Sequence, residues 1–344
     1  MGLRFLSICF LAALSAGCAP WHAPPGRALH APSWNKEGFT TPDGAHLPLR
    51  RWGPADHPRG VVLALHGFND YSKAFEAPAK SLARAGITTY AYDQRGFGRA
   101  PNKGFWSSVD GMTDDLRVAA QLVRDAHPDV PFFILGESMG AAVIMAAMDQ
   151  DRPPPSADGY VLAAPAVWAR HVMPSWQRIG LEFFAHTIPL FHVTGQGFNR
   201  TPSDNLSMLR KLGRDPLVIK YTRIDTIYGL VNLMDAALYA VPRLPGNTLV
   251  LIGQKEDVIP NEAISAFSAA LAEASCVKVA RYRSGFHMLL RDLKADVVLG
   301  DLAAWMANPE RALPSGADRI KSTSEGSGAP APLAVNCDRS AARP

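Results

Sequence analysis

The sequence predicts an α/β fold in which a mostly parallel central sheet carries helices on both faces and an inserted helical cap. Three observations predict it. Short runs that are apolar throughout, such as GVVLALHG ending at Gly67 and PFFILG ending at Gly136, alternate with amphipathic stretches of helical spacing, the pattern of strands buried on both faces. One of these runs ends in Gly136-Glu137-Ser138-Met139-Gly140 and passes straight into small helix-forming residues. Finally, the residues from about Trp168 to Leu238 lie between two strand-like runs and are too many for one crossover helix, so an insertion breaks the alternation.

The chain opens on MGLRFLSICFLAALSAGCAP, with Arg4 ahead of an apolar run from Phe5 to Leu14 and then small residues. This is the pattern of an export signal over residues 1–17, and the run is too short to span a bilayer. Its end, Leu14-Ser15-Ala16-Gly17-Cys18, resembles the lipobox of bacterial lipoproteins, with the leucine one place further from the cysteine than usual. The resemblance implies that Cys18 becomes the acylated first residue of the mature chain. It also implies that Ala19 directs the protein to the outer membrane of a double-membraned bacterium, facing the periplasm. A plain signal leading to a secreted or periplasmic protein is the alternative.

Residues 18–33, with Pro20, Pro24, Pro25 and Pro32, read as an extended tether. The globular domain is expected over 34–308. The tail, 309–344, is rich in Pro, Gly, Ser and Ala and is expected to be disordered. Removing the signal leaves Cys18, Cys276 and Cys337, and an oxidising compartment would permit a bridge between the last two.

Within the domain, GFTTPDGAHLPLRRW reads as a hairpin turning at Pro42-Asp43-Gly44, and GVVLALHG follows as a buried strand. A helix is expected from about Lys73 to Ala85, and TTYAYD is a strand ending at Asp93. MTDDLRVAAQLVRDA has helical spacing with Thr113 as its expected N-cap. PFFILG, GYVLAAP, NTLVLIG and CVKVARYR supply the remaining strands, with the helix NEAISAFSAALAEA between the last two. The insertion, about 168–238, carries Trp168, Met173, Trp176, Ile179, Phe183, Phe184, Leu190 and Phe191, which the cap reading offers as a lining for an acyl chain.

A serine hydroxyl is a poor nucleophile until a base takes its proton, an acid orients the base and N–H donors hold the oxyanion. Gly-x-Ser-x-Gly between strand and helix meets the geometric part of that need, because only small neighbours permit the sharp turn that exposes the serine. Ser138 is the candidate nucleophile. Such a nucleophile is followed in chain order by an acid and then a histidine, each after a later strand. LVLIGQKEDVIP puts Glu256 and Asp257 past one strand, and RYRSGFHMLLRD puts His287 past the last.

Together HGFND, YDQRGFGRA, GESMG, GQKEDVIP and SGFHMLLRD resemble the α/β-hydrolase superfamily, and within it the monoacylglycerol lipase and lysophospholipase group of serine hydrolases, over about residues 36–308. The resemblance implies an α/β-hydrolase fold and an oxyanion hole built from the backbone N–H groups of Phe68 and Met139. It implies a structural role for His66 and for the Asp93/Arg95 pair, and polar contacts at the elbow for Glu137. Where the group usually has aspartate, counting from Gly253, this chain has Glu256. Glu256 is the preferred acid, and a shifted loop using Asp257 is the alternative.

No cofactor is implied, and no His, Cys, Asp or Glu pair stands at metal-ligand spacing with support around it. The formal net charge is +4, from 35 basic and 31 acidic residues without a basic block, which argues against nucleic acid as a partner. The expected activity is hydrolysis of a lipid ester such as monoacylglycerol or lysophospholipid, by an enzyme held to the membrane through an N-terminal lipid anchor. The alternatives are a short-chain carboxylesterase or thioesterase and, from another class, a non-catalytic envelope binding protein on the same fold.

Overall fold

The computed structural model describes residues 19–148, 152–195, 200–274 and 276–320. Cys18, Cys337 and the tail from 321 onward therefore lie outside the described residues. Cys276 is disulfide-bonded.

An antiparallel start, β1 (Ser33–Trp34), β2 (Gly38–Thr40) and β3 (His46–Trp52), leads into β4 (Gly60–Leu65). The β2–β3 turn is the expected one: Gly44 takes φ +83°, a conformation that needs glycine, and its N–H donates to Thr41 O at 2.8 Å. Then come α1 (Glu76–Arg84), β5 (Ile87–Tyr92), α2 (Val109–Ala126), β6 (Phe132–Glu137), α3 (Met139–Ala146) and β7 (Gly159–Ala163).

The insertion holds α4 (Ser175–Thr187), β8 (His192–Val193), α5 (Leu206–Arg214), β9 (Thr222–Arg223) and α6 (Ile224–Tyr239). After it run β10 (Thr248–Gly253), α7 (Asn261–Leu271), β11 (Lys278–Tyr282) and α8 (Ala295–Ala307).

Nine strands form one sheet among the described residues, in the order β1-β2-β3-β5-β4-β6-β7-β10-β11. From β5 to β11 every neighbouring pair is parallel, and β3 joins antiparallel to β5. All residues of β4, β5, β6, β7 and β10 are buried, because a helical layer covers each face and no alternation with polar residues is needed. The core accordingly falls into two apolar clusters, one containing Leu63, Ile134 and Val143 and the other containing Val62, Leu135 and Trp305. This is the α/β-hydrolase fold.

Four expectations are corrected. Helix α2 begins a turn before Thr113: Ser108 Oγ accepts from Gly111 N at 2.9 Å, while Thr113 is buried inside the helix and donates to Asp110 O. A Cβ on Gly111 would stand 2.7 Å from Pro25 Cγ, so the glycine makes room for a neighbour. Helix α6 belongs to the domain core and not to the cap, since Val231, Leu233, Met234 and Ala237 join the cluster around α3.

The tether, although irregular, is fastened along the domain by Ala23 N to Trp106 O (2.7 Å), Gly26 N to Asp43 Oδ2 (2.9 Å) and Leu29 N to Pro42 O (2.8 Å). The stretch 309–320 is likewise packed: Leu313 and Ala317 are buried in the second cluster, and Lys278 Nζ donates to the carbonyls of Pro309 and Arg311. Ser315 adds hydrogen bonds to Asp301, so a segment whose composition looks disordered is held by both packing and polar contacts.

Candidate active site

Strand β6 runs into α3 without a loop residue to spare. Ser138 takes φ +54° and ψ −113°, left of where a side chain rests comfortably, and Met139 already begins the helix. The two glycines make this turn possible. A Cβ on Gly136 would lie 2.4 Å from Ala141 N, and one on Gly140 would lie 2.1 Å from Leu65 O, both impossible contacts with backbone. Ser138 N donates to Ala163 O at 2.9 Å and Ser138 O accepts from Ala166 N at 3.1 Å, so the end of β7 and the segment after it brace the strained residue.

The loop after β4 passes directly beside it. A Cβ built on Gly67 would stand 3.4 Å from Ser138 Cβ, in van der Waals contact. His66 is buried and fully used: Nδ1 donates to Gly67 O at 2.9 Å and Nε2 accepts from Gln94 N at 3.0 Å. Burial holds its pKa below the ordinary histidine value, so it is a neutral brace for this loop. Phe68 follows. Among the described residues, neither its amide N–H nor that of Met139 donates to a loop, turn or cap acceptor, which leaves both free for a ligand oxygen.

Two loops at the ends of β10 and β11 bring the acid and the base together. They touch backbone to backbone, since a Cβ on Gly253 would be 2.4 Å from Gly285 O, and Lys255 N donates to that same oxygen at 2.9 Å. His287 Nδ1 lies 2.6 Å from Glu256 Oε2, and His287 Nε2 lies 3.0 Å from Ser138 Oγ. The other Glu256 oxygen accepts from the N–H groups of Val258 (2.7 Å) and Ile259 (3.0 Å). With Nδ1 donating to the carboxylate, Nε2 is the acceptor that faces the serine.

Asp257 is not in this arrangement. Both its oxygens accept from Thr201 N at 3.0 Å, which ties the middle of the cap to the acid loop.

Electrostatics follow from these contacts. Burial opposes a charged His287, but the hydrogen bond and charge of Glu256, helped by the charge of Glu137, outweigh it and raise the imidazole's pKa above its ordinary value. For Glu256, burial acts upward, and the His287 bond with the two backbone donors brings it net below the usual glutamate value.

Residues outside the sequence expectation complete the site. Arg291 is buried and donates to Asp70 Oδ2 and Glu137 Oε2, each at 2.7 Å. It thereby links the His287 loop, the loop bearing Phe68 and the residue before Ser138. The signal was present in FHMLLRD, but a lone arginine near a histidine does not reveal which carboxylates will meet it. The cap is stitched to the same loop: Met288 N donates to Pro202 O (2.9 Å), Ser203 Oγ to Asp292 Oδ1 (2.6 Å) and Asn205 Nδ2 to Arg291 O (3.0 Å).

Asp93 and Arg95 lie in structural roles. Asp93 accepts from Ser72 N and Arg99 N, while Arg95 joins Asp115 to Asp43 of the hairpin turn. Burial, partly countered by Arg95, pushes the Asp115 carboxyl up to about 6. Among the described residues, no group of three or more His, Cys, Asp or Glu is placed to hold a metal ion.

The family model described as serine aminopeptidase, S33, matches residues 56–294, well over half of the chain and every site residue just placed. The chain belongs to that family. It is 25% identical over 280 residues to a monoacylglycerol lipase of Mycolicibacterium smegmatis, covering 80% of this chain and 97% of that one. It is 24% identical over 277 residues to a monoglyceride lipase of Rattus norvegicus, covering 77% and 88%. A crystal structure of a soluble variant of Saccharomyces cerevisiae monoglyceride lipase, in complex with a substrate analog, matches with a TM-score of 0.65 at 20% identity over 82% of this chain and 97% of that one, a likeness of fold.

Proposed function

We propose that this family member is a serine carboxylic ester hydrolase acting on lipid esters with one acyl chain, such as monoacylglycerol or lysophospholipid. One observation carries the reading: Ser138, His287 and Glu256 form a continuous hydrogen-bonded chain at the carboxyl ends of β6, β11 and β10. Monoacylglycerol lipases among the relatives support the choice of substrate.

Ser138 Oγ attacks the ester carbonyl while His287 Nε2 takes its proton. Glu256 stabilises the imidazolium, and the N–H groups of Phe68 and Met139 receive the oxyanion. His287 then returns the proton to the leaving alcohol, and a water activated by the same nitrogen releases the fatty acid from Ser138. The test is fatty-acid release from mono-oleoylglycerol and lysophosphatidylcholine. Ser138→Ala is expected to lower it by roughly 10⁴-fold or more. Release that persists in the variant would overturn the reading.

We infer further that Cys18 carries a lipid anchor that holds the enzyme at the outer membrane, facing the periplasm. Support comes from the lipobox-like end of the signal, Leu14-Ser15-Ala16-Gly17-Cys18, after the apolar run from Phe5 to Leu14. Cys18→Ser is expected to move the protein from the membrane fraction to the soluble one, and an unchanged distribution would contradict the anchor.

A further inference from the structure

The two N–H groups that would receive the oxyanion come from different segments of chain. The last register pair joining β4 to β6 is Leu65 with Gly136. Beyond it one segment continues as Gly67-Phe68-Asn69-Asp70 and the other as Glu137-Ser138-Met139. Phe68 and Met139 therefore both stand past the end of this ladder, and hydrogen bonding between the two strands does not set the distance between their N–H groups.

Arg291 spans that gap. Nη1 donates to Asp70 Oδ2 and Nη2 to Glu137 Oε2, each at 2.7 Å, and each carboxylate lies two residues from its oxyanion donor. All three side chains are buried: the residues are 9%, 5% and 2% exposed for Arg291, Asp70 and Glu137. Asp70 Oδ1 also accepts from Tyr71 N at 2.9 Å, whereas Glu137 Oε1 has no hydrogen-bond partner among the described residues, so the guanidinium is what holds Glu137 in place. The loop behind Arg291 is itself closed, since Phe286 N donates to Asp292 Oδ2 at 2.8 Å and His287 lies within that closure. A planar guanidinium presents its N–H groups in a rigid fork and can fix two carboxylates at a set separation, which a single ammonium does not do. Stability alone is a poor reason for the arrangement, because apolar side chains of similar volume would fill the space as well as buried ions.

We propose that Asp70, Arg291 and Glu137 form a clamp that positions the oxyanion hole: it fixes the separation of the Phe68 and Met139 N–H groups and ties both to the loop that carries His287. The three are positioning residues, acting through those donors and not on the substrate. Negative charge gathers on the carbonyl oxygen only as the reaction proceeds, so a displaced donor costs the transition state and spares the ground state. This deepens the ester-hydrolase reading and rests on it.

The test compares Glu137→Met, which cuts one arm and leaves Arg291 paired with Asp70, with Glu137→Gln, which keeps an acceptor oxygen for the guanidinium. Rates on a soluble p-nitrophenyl ester are taken on the alkaline plateau, where His287 is neutral in every variant, so that loss of the Glu137 charge, which helps raise the His287 pKa, does not enter. Glu137→Met is expected to lower kcat by roughly 30-fold or more with KM within about twofold of the native value. Affinity for a trifluoromethyl ketone, whose adduct with Ser138 is tetrahedral and carries the oxyanion, is expected to fall by the same factor. Glu137→Gln is expected to recover roughly tenfold of the loss. A kcat within about threefold of native in Glu137→Met, an equal loss in both variants, or a loss confined to KM would overturn the clamp. If Glu137→Met lacks the native near-ultraviolet circular dichroism, Arg291→Lys, which keeps the charge without the fork, decides by the same kcat, KM and ketone criteria. If the native chain hydrolyses no ester, the ester-hydrolase reading fails, and fluorophosphonate labelling of Ser138 decides the clamp: slower in Glu137→Met than in Glu137→Gln supports it, and equal rates overturn it.

Discussion

Helices α3 and α4 are both rich in apolar residues, yet all eight residues of α3 are buried, whereas in α4 only Ala185 is. The difference lies in side-chain size and placement. In α3, Gly140, Ala141 and Ala142 bring the helix close against the sheet, and the close approach in turn forces the strained φ of Ser138. In α4 the large side chains point away from the domain and its inward face is short. One helix is built to fix a reacting atom, and the other leaves Trp176, Ile179, Phe183 and Phe184, residues expected to line an acyl chain, exposed to solvent.

The sharpest way to break this comparison is to disturb the polar chain that α3 presents. Glu256→Gln leaves the ring without its negative partner, and kcat is expected to fall by roughly 10³- to 10⁴-fold, measured by steady-state hydrolysis of a soluble ester. A fall of only a few-fold would mean that the carboxylate does little for His287.

Next in size is Arg291→Met, which strands Asp70 and Glu137 in the core. The loss is expected to be about 3–5 kcal/mol in denaturant unfolding, because unpaired buried charges are costly. By contrast, Trp176→Asp on α4 is expected to change stability by no more than about 0.5 kcal/mol, as its side chain packs on little. If the two variants unfolded alike, the contrast between core and cap would collapse.

Acidity sharpens the same picture. The base must be neutral to act, and the His287 pKa is raised, so kcat/KM is expected to fall as pH drops through a value above that of a free imidazole. Removing the Glu256 charge lowers that pKa, so in Glu256→Gln the acid limb should move to lower pH while the plateau drops. A limb that stayed in place would contradict the assigned pairing. The smallest effect is expected for Asp257→Asn, about threefold at most in kcat, because among the described residues its oxygens accept from Thr201 N and not from His287.

Much of this was legible in the residues themselves. The all-apolar strands reported a sheet covered on both faces, and Gly136, Ser138 and Gly140 reported a turn tight enough to require glycine. His287 could be placed because only one histidine follows the last strand. The choice between Glu256 and Asp257 could not be settled from spacing, since adjacent residues on a loop differ in direction and not in distance along the chain. The attachment of the tether was hidden for another reason. Pro24 and Pro25 signal an extended segment, but whether it lies against the domain depends on Gly111, Trp106 and Asp43, none of which is near in sequence. The start of α2 and the packing of Leu313 likewise depend on contacts made only after folding.

The most direct test of the account is reaction of the protein with a fluorophosphonate, followed by mass spectrometry of its peptides. The expected result is one adduct, on Ser138, formed at the native rate in Asp257→Asn and slowed by roughly 100-fold or more in Glu256→Gln. An adduct elsewhere, or equal labelling of the Glu256 and Asp257 variants, would contradict the claim that Glu256 and His287 together activate Ser138.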